Sequence, residues 1–175
     1  MARIPYFDLT QASPAIREMV STRLPLNIYR MVAHGGASAE GFLTLGNAIL
    51  RRSKLDPVLR ELVILRVGAL CNASYEIFQH RRVAARVGVP QKQIEAVLQN
   101  PKGEVLEAFS EEQLTVLRFC DAVVRQVKAP VELFNAVTKL LPHQQLVELM
   151  MTIGFYMLVC RLLENLEVDL EPQVQ

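Results

Sequence analysis

The stretch ELVILRVGALCNASYEIFQH, residues 61–80, decides the fold and holds most of the side chains that can do chemistry. It continues an apolar helix that starts at Asp56-Pro57, where an acidic N-cap precedes a proline at the first helical position. Cys71-Asn72-Ala73 interrupts that helix, and Ser74 can cap the helix that follows. The pattern predicts two consecutive helices with a cysteine at the joint between them.

The two predicted helices carry two carboxylates and an imidazole. Glu76 and His80 are four residues apart, so their side chains share one helix face. A carboxylate in that position can hold the imidazole in one tautomer and raise its pKa, which suits a proton shuttle at neutral pH. Glu61 lies in an apolar helix, where a buried acid is costly unless it is paired, and we expect His80 or Arg66 as its partner. Tyr75 can donate a phenol hydrogen bond to a substrate oxygen.

Each of these features also has a structural explanation. Glu–His pairs at this spacing are common on solvated helix faces, and two charges in an apolar helix can form a structural ion pair. A cysteine such as Cys71 in apolar surroundings is more often an inert core thiol than a nucleophile. Their occurrence together in one short stretch favours a functional site.

The composition predicts one oligomeric domain. A chain of 175 residues can bury a substantial core without disulfides or metals. Its hydrophobic share of 51% is high for a soluble monomer, and we expect the excess to lie in subunit interfaces of a homo-oligomer. The formal charge of +1 and the scattered basic residues argue against nucleic acid as a partner.

The cysteines and apolar runs predict a cytoplasmic protein. Cys71, Cys120 and Cys160 are widely separated and lack metal-ligand spacing, which indicates a reducing compartment without a disulfide framework. The N-terminus shows no signal-peptide pattern. The longest apolar run, residues 149–160, is shorter than the roughly 20 residues that a membrane span needs, so we expect a buried or interfacial helix. We therefore expect no membrane span and no metal site.

Helix start and stop signals recur along the chain, and strand alternation is nearly absent, which predicts an all-α fold. No low-complexity linker divides residues 1–175, so we expect a single domain with its core motif at 56–88. A loop is expected at 100–103. Besides the two central helices, predicted helices cover 14–24, 25–33, 39–52, 91–98, a segment from a capping box at Ser110 to about 128, 131–140, and about 143–166.

These residues resemble the signature of the carboxymuconolactone decarboxylase and alkylhydroperoxidase D (AhpD-like) superfamily. The similarity lies in Glu-Leu-Val-Ile-Leu-Arg-Val-Gly-Ala-Leu at 61–70 and in the Tyr-Glu and Gln-His pairs that follow. The downstream half, around Asp121 and from Leu146 to Asn165, is similar too. The resemblance implies an AhpD-like helical bundle that assembles into rings, commonly trimers or hexamers, with the site near a subunit boundary.

The chain departs from the peroxidase branch of this superfamily at the cysteine pair. That branch carries two redox cysteines at the start of the second helix, with a glutamate and a histidine that activate a thiol. Ala73 and Glu76 occupy those positions here, and Cys71 lies two residues before the first of them. A two-cysteine cycle through this motif is not expected, whereas a hydroperoxidase that uses Cys71 alone stays open.

The decarboxylase branch resembles the chain better, because it keeps the glutamate and the histidine and needs no cysteine pair. The resemblance implies a cofactor-free enzyme that removes CO₂ from a small carboxylated lactone and protonates the resulting carbanion. In this hypothesis His80 transfers the proton and Glu61 or Glu76 orients it. Tyr75 or a backbone N–H at the helix break would bind a carbonyl oxygen, and Arg66 would hold a substrate carboxylate. A third interpretation is a non-catalytic binding or scaffold member of the superfamily.

Overall fold

The computed structural model describes residues 1–99 and 107–171. Within these ranges the secondary structure is α-helical with short 3-10 turns and no strand, so the all-α prediction is confirmed. The predicted loop at 100–103 lies outside the described residues. The α-helices are α1 (Pro14–Ser21), α2 (Asn27–Val32), α3 (Ala37–Arg52), α4 (Pro57–Leu70), α5 (Ser74–Arg86), α6 (Gln91–Leu98), α7 (Glu111–Gln126), α8 (Val131–Leu140) and α9 (His143–Leu166).

Local signals explain where several of these helices begin. The Asp56 carboxylate accepts a hydrogen bond from the Leu59 N–H at 2.9 Å and starts α4. Ser110 and Gln113 form the predicted capping box at the start of α7. The prediction that Ser74 caps α5 is wrong: the N-cap is Ala73, whose extended backbone leaves Ser74 as the first helical residue.

The chain forms two compact units, and the single-domain prediction stays a prediction. The first unit contains residues 1–52 and the chain from Leu162 onward. Its apolar core is built around Ile16 and Leu43. The backbone N–H of Arg3 donates to the Leu166 carbonyl, and the Arg3 guanidinium pairs with Glu167 at 2.6 Å. These contacts hold the two ends of the described chain together within this unit.

The second unit, Ser53–Arg161, holds all the side chains of the predicted site. Helix α4 is its centre, because every residue from Arg60 to Gly68 is buried and the helix packs against α5, α6 and α7. Its apolar positions are spread around the whole helix, as expected for a central helix. Polar side chains on α4 must therefore find partners inside the protein.

Helix α9 is the long apolar helix near the C-terminus. By length and composition it is able to cross a membrane, with a mean hydropathy of 1.8 over its most apolar stretch. Half of that stretch is buried inside the protein, and the core helix of a soluble protein meets the same criterion. The buried side includes Leu149, Ile153, Tyr156 and Cys160, which recur at helical spacing and face the interior of the second unit.

Candidate functional site

The break between α4 and α5 is a compact backbone turn. Cys71 caps the C-terminal end of α4, and Asn72 has a φ of 53°, in the left-handed region. The Ala73 N–H then donates to the Gly68 carbonyl at 2.9 Å, so the chain reverses direction within three residues. The reversal folds α5 back along α4.

Gly68 allows these two helices to approach closely. A Cβ atom at this position would lie 3.1 Å from Cγ1 of Ile77 and 4.0 Å from Cβ of Glu76. Glu61 lies two helical turns before Gly68 on α4, and His80 lies one turn after Glu76 on α5. The close antiparallel packing therefore brings the Glu61 side chain against the imidazole of His80.

His80 is held between two carboxylates. Its Nδ1 lies 2.6 Å from Oε2 of Glu61, and its Nε2 lies 3.0 Å from Oε1 of Glu76. The histidine is only 7% exposed, and Glu61 is fully buried. Of the two partners expected for Glu61, His80 is the one in contact with it, and Glu76 faces the same imidazole.

This arrangement keeps His80 positively charged. Burial by itself lowers the pKa of the imidazole, but the charge of Glu76 and the hydrogen bonds to Glu61 and Glu76 outweigh burial and raise the pKa to about 10. At neutral pH the ring is an imidazolium that donates from both nitrogens. The group can therefore supply a proton, while neither ring nitrogen is available as a base.

The second partner of Glu61 differs from the residue expected. Nε of Arg60 lies 3.2 Å from Oε1 of Glu61, and Arg60 is only 6% exposed. Arg66, the other expected partner, lies elsewhere, because five residues along a helix correspond to a rotation of about 140°. Sequence reasoning missed Arg60, although a charge in an apolar helix directly next to a buried acid is itself a signal.

Arg66 forms a separate buried ion pair. Its Nε and Nη2 each lie 2.6 Å from a carboxylate oxygen of Asp121, and its Nη1 donates to the carbonyls of Val97 and Gln99. The guanidinium also lines a cavity of about 180 Å³ whose other walls are largely apolar. These contacts place Arg66 apart from the His80 cluster, and its predicted substrate-binding role gains no support from them.

Helix α9 contacts the site through Tyr156, Cys160 and Arg161. The rings of His80 and Tyr156 meet edge to face, with centroids 5.0 Å apart. One turn further along α9, the Cys160 thiol is hydrogen-bonded to the thiol of Cys71, and Arg161 is hydrogen-bonded to Cys71 as well. The imidazolium and the thiol pair therefore lie about one helical turn apart along α9.

These neighbours make Cys71 a thiolate at neutral pH. The hydrogen bond from Cys160 lowers the Cys71 pKa most, burial opposes it, and the charge and hydrogen bond of Arg161 lower it further, to about 6. The negative end of the α4 dipole does not favour an anion at this cap, so the side chains supply the stabilisation. Burial instead raises the pKa of the fully buried Cys120, which leaves that thiol protonated.

Tyr75 and the two other histidines differ in exposure. Tyr75 is buried at the start of α5. His34 and His143 are exposed, and the His34 ring is hydrogen-bonded to the Pro5 carbonyl at 2.8 Å. In the described ranges, no group of three His, Cys, Asp or Glu side chains is arranged to hold a metal ion.

The comparisons with known proteins agree with this architecture. Residues 36–101 match the model of the carboxymuconolactone decarboxylase family. The structure is similar to that of an AhpD-core, peroxidase-related protein from Ralstonia eutropha JMP134, with a TM-score of 0.84 over 98% of this chain and 93% of that one, at 15% identity. The fold is therefore AhpD-like, and residues 36–101 are similar to the carboxymuconolactone decarboxylase family.

Two other solved structures are similar to this fold. A peroxidase-related protein from Silicibacter sp. TM1040 has a TM-score of 0.77 at 14% identity, over 98% of this chain and 95% of that one. An AhpD-related protein of unknown function from Agrobacterium tumefaciens has a TM-score of 0.71 at 17% identity, over 81% and 96%. At these identities the likeness concerns the fold alone. No curated protein matches the sequence significantly.

Proposed function

We propose that this protein reduces hydroperoxides, with the Cys71 thiolate as the attacking group. The observation that carries the proposal is the environment of Cys71, a partly exposed thiol that accepts hydrogen bonds from Cys160 and Arg161. A reactive cysteine needs both a lowered pKa and access to solvent, and Cys71 has both. Of the interpretations that the sequence left open, this is the hydroperoxidase that lacks the Cys-x-x-Cys motif.

The chemistry requires one thiolate and one cation. The sulfur of Cys71 attacks a peroxide oxygen, an S–O bond forms, and the O–O bond breaks. The sulfur is oxidised to a sulfenic acid while the peroxide is reduced to an alcohol or water. The Arg161 guanidinium next to the thiol offsets the negative charge that develops on the leaving oxygen, which then takes a proton from water. A thiol reductant returns the cysteine to its starting state.

The contacts of Arg66 and His80 favour this proposal over the decarboxylase. The guanidinium of Arg66, which would hold a substrate carboxylate, is already bonded to Asp121 and to two backbone carbonyls. Both nitrogens of His80 are already bonded to carboxylates, so a substrate would have to displace Glu61 or Glu76. Displacing a partner from a buried charge is costly.

The second candidate is a cofactor-free decarboxylase, and the charge state of His80 supports it. A buried imidazolium is a proton donor, and the loss of CO₂ from a carboxylated lactone leaves a carbanion that needs a proton. In this scheme Glu76, which is 4% exposed, yields its hydrogen bond when substrate enters. Assaying carboxylated lactones with wild type and His80→Gln tests it: decarboxylation that His80→Gln abolishes would support this scheme.

A peroxide assay tests the leading proposal. The purified protein is given hydrogen peroxide or cumene hydroperoxide with dithiothreitol, and wild type is compared with Cys71→Ser and Cys120→Ser. We expect turnover that Cys71→Ser abolishes and that Cys120→Ser leaves unchanged, since the Cys120 thiol is buried and protonated. A rate that does not depend on Cys71 would refute the proposal.

A further inference from the structure

Two of the three cysteines form a thiol pair that the sequence does not reveal. Cys71 ends α4, and Cys160 lies in the last third of α9, yet their thiols are hydrogen-bonded to each other. Cys160 is only 1% exposed, whereas Cys71 is partly exposed. The pair thus combines one thiol that solvent reaches with one that it does not.

We propose that Cys160 is the resolving cysteine for Cys71, so that oxidation ends in a Cys71–Cys160 disulfide between α4 and α9. The inference rests on the proposed function, because Cys71 must first be oxidised by a hydroperoxide. The proposed disulfide joins two different helices, whereas the Cys-x-x-Cys pair of the peroxidase branch lies within one helix turn.

The exposure of the two thiols sets their order of reaction. A hydroperoxide from solvent reaches the Cys71 sulfur first, since the Cys160 side chain is enclosed by the protein. Cys160 already contacts the sulfur that becomes oxidised and needs no change of partner to attack it. The third thiol, Cys120 in α7, has a pKa raised by burial, so it stays protonated and is not expected to take part in this exchange.

The resolving step balances without a cofactor. The Cys160 sulfur attacks the sulfur of the Cys71 sulfenic acid, an S–S bond forms, and the S–O bond breaks. The hydroxyl leaves as water after taking the proton that Cys160 gives up. A disulfide requires the two hydrogen-bonded sulfurs to approach further, to about 2.05 Å. An external dithiol supplies the two electrons that reopen the bond.

The resolving role also explains the position of Arg161. Its guanidinium lies next to the Cys71 thiol, and its backbone follows Cys160 directly on α9. When the disulfide is reduced, Cys71 is the sulfur with a cation and a hydrogen-bond donor ready to stabilise it as the leaving thiolate. Because Cys71 is the partly exposed sulfur, a dithiol reductant is expected to attack it from solvent, and the reduction restores the Cys71–Cys160 thiol pair.

The test is to map the oxidised state of each cysteine. Wild type, Cys160→Ala, Cys71→Ser and the matched control Cys120→Ser are treated with hydrogen peroxide without reductant. Free thiols are then alkylated, sulfenic acid is trapped with dimedone, and the peptides are analysed by mass spectrometry under non-reducing conditions. We expect wild type and Cys120→Ser to lose two free thiols and yield the Cys71–Cys160 disulfide. We expect Cys160→Ala to accumulate dimedone-labelled Cys71.

The outcomes separate this inference from the proposed function. Dimedone-labelled Cys71 in wild type, without a Cys71–Cys160 disulfide, would overturn the resolving role and leave peroxide reduction by Cys71 in place. No oxidation of Cys71 in wild type or in any variant would overturn the proposed function itself. If Cys160→Ala fails to fold, the disulfide map of wild type and Cys120→Ser decides the question.

Discussion

The charge on His80 predicts an unusual dependence of stability on pH. Glu61 and Glu76 raise the pKa of the folded imidazole from 6.5 to about 10. A group whose pKa is higher in the folded state stabilises the fold fully below its unfolded pKa, and this contribution is lost as the pH rises through the folded pKa. At about 1.4 kcal/mol per pKa unit, the contribution is roughly 5 kcal/mol, lost between pH 6.5 and 10.

Cys71 acts in the opposite direction over part of this range. Its pKa falls from 9.0 to about 6 on folding, so its contribution is present above pH 9 and is lost as the pH falls toward 6. Because the thiol is partly exposed, solvent screening reduces this contribution, and it offsets only part of the His80 effect. Wild type should therefore lose stability more gently between pH 6.5 and 9 than a variant without the thiolate.

Urea unfolding from pH 6 to pH 10 measures both effects in wild type, Cys71→Ser and Glu76→Gln. The free energy of unfolding should fall with pH in wild type and more steeply in Cys71→Ser. Glu76→Gln removes the charge that raises the His80 pKa most, so its loss of stability should occur at lower pH. Identical, flat profiles for wild type and Cys71→Ser would refute the assignment of His80 as an imidazolium.

Three further predictions concern the second unit. Glu148 accepts hydrogen bonds from Ser53 and from two backbone N–H groups ahead of α4. Glu148→Ala should therefore lower the free energy of unfolding, measured in urea, by about 1–3 kcal/mol. Arg66→Met leaves Asp121 and two carbonyls without their cation and should lower the free energy of unfolding by about 3 kcal/mol in the same experiment. An unchanged urea midpoint would contradict a structural role for Arg66. The exposed apolar face of α9 includes Leu158, which is 48% exposed. We propose that this face lies in the interface of a homo-oligomer, so Leu158→Lys should reduce the molecular mass measured by light scattering.

The limits of helices could be predicted because they depend on residues a few positions apart. The observed bounds of α6, α8 and α9 agree with prediction, and the capping box at Ser110 starts α7 as expected. The helix ends early, at Gln126, because Val127 adopts a φ of 66°. A backbone conformation that a valine rarely adopts gives no signal in the local pattern.

The candidate site likewise has features that the sequence predicts and one feature that it does not. The sequence by itself determined that Glu76 and His80 share a face and that Glu61 needs a buried partner, because helix periodicity and the cost of burying a charge are local properties. Only the tertiary structure decided that Cys160 meets Cys71. Their contact depends on how α9 packs against the end of α4, and packing between helices distant in the sequence leaves no mark in the spacing of either cysteine.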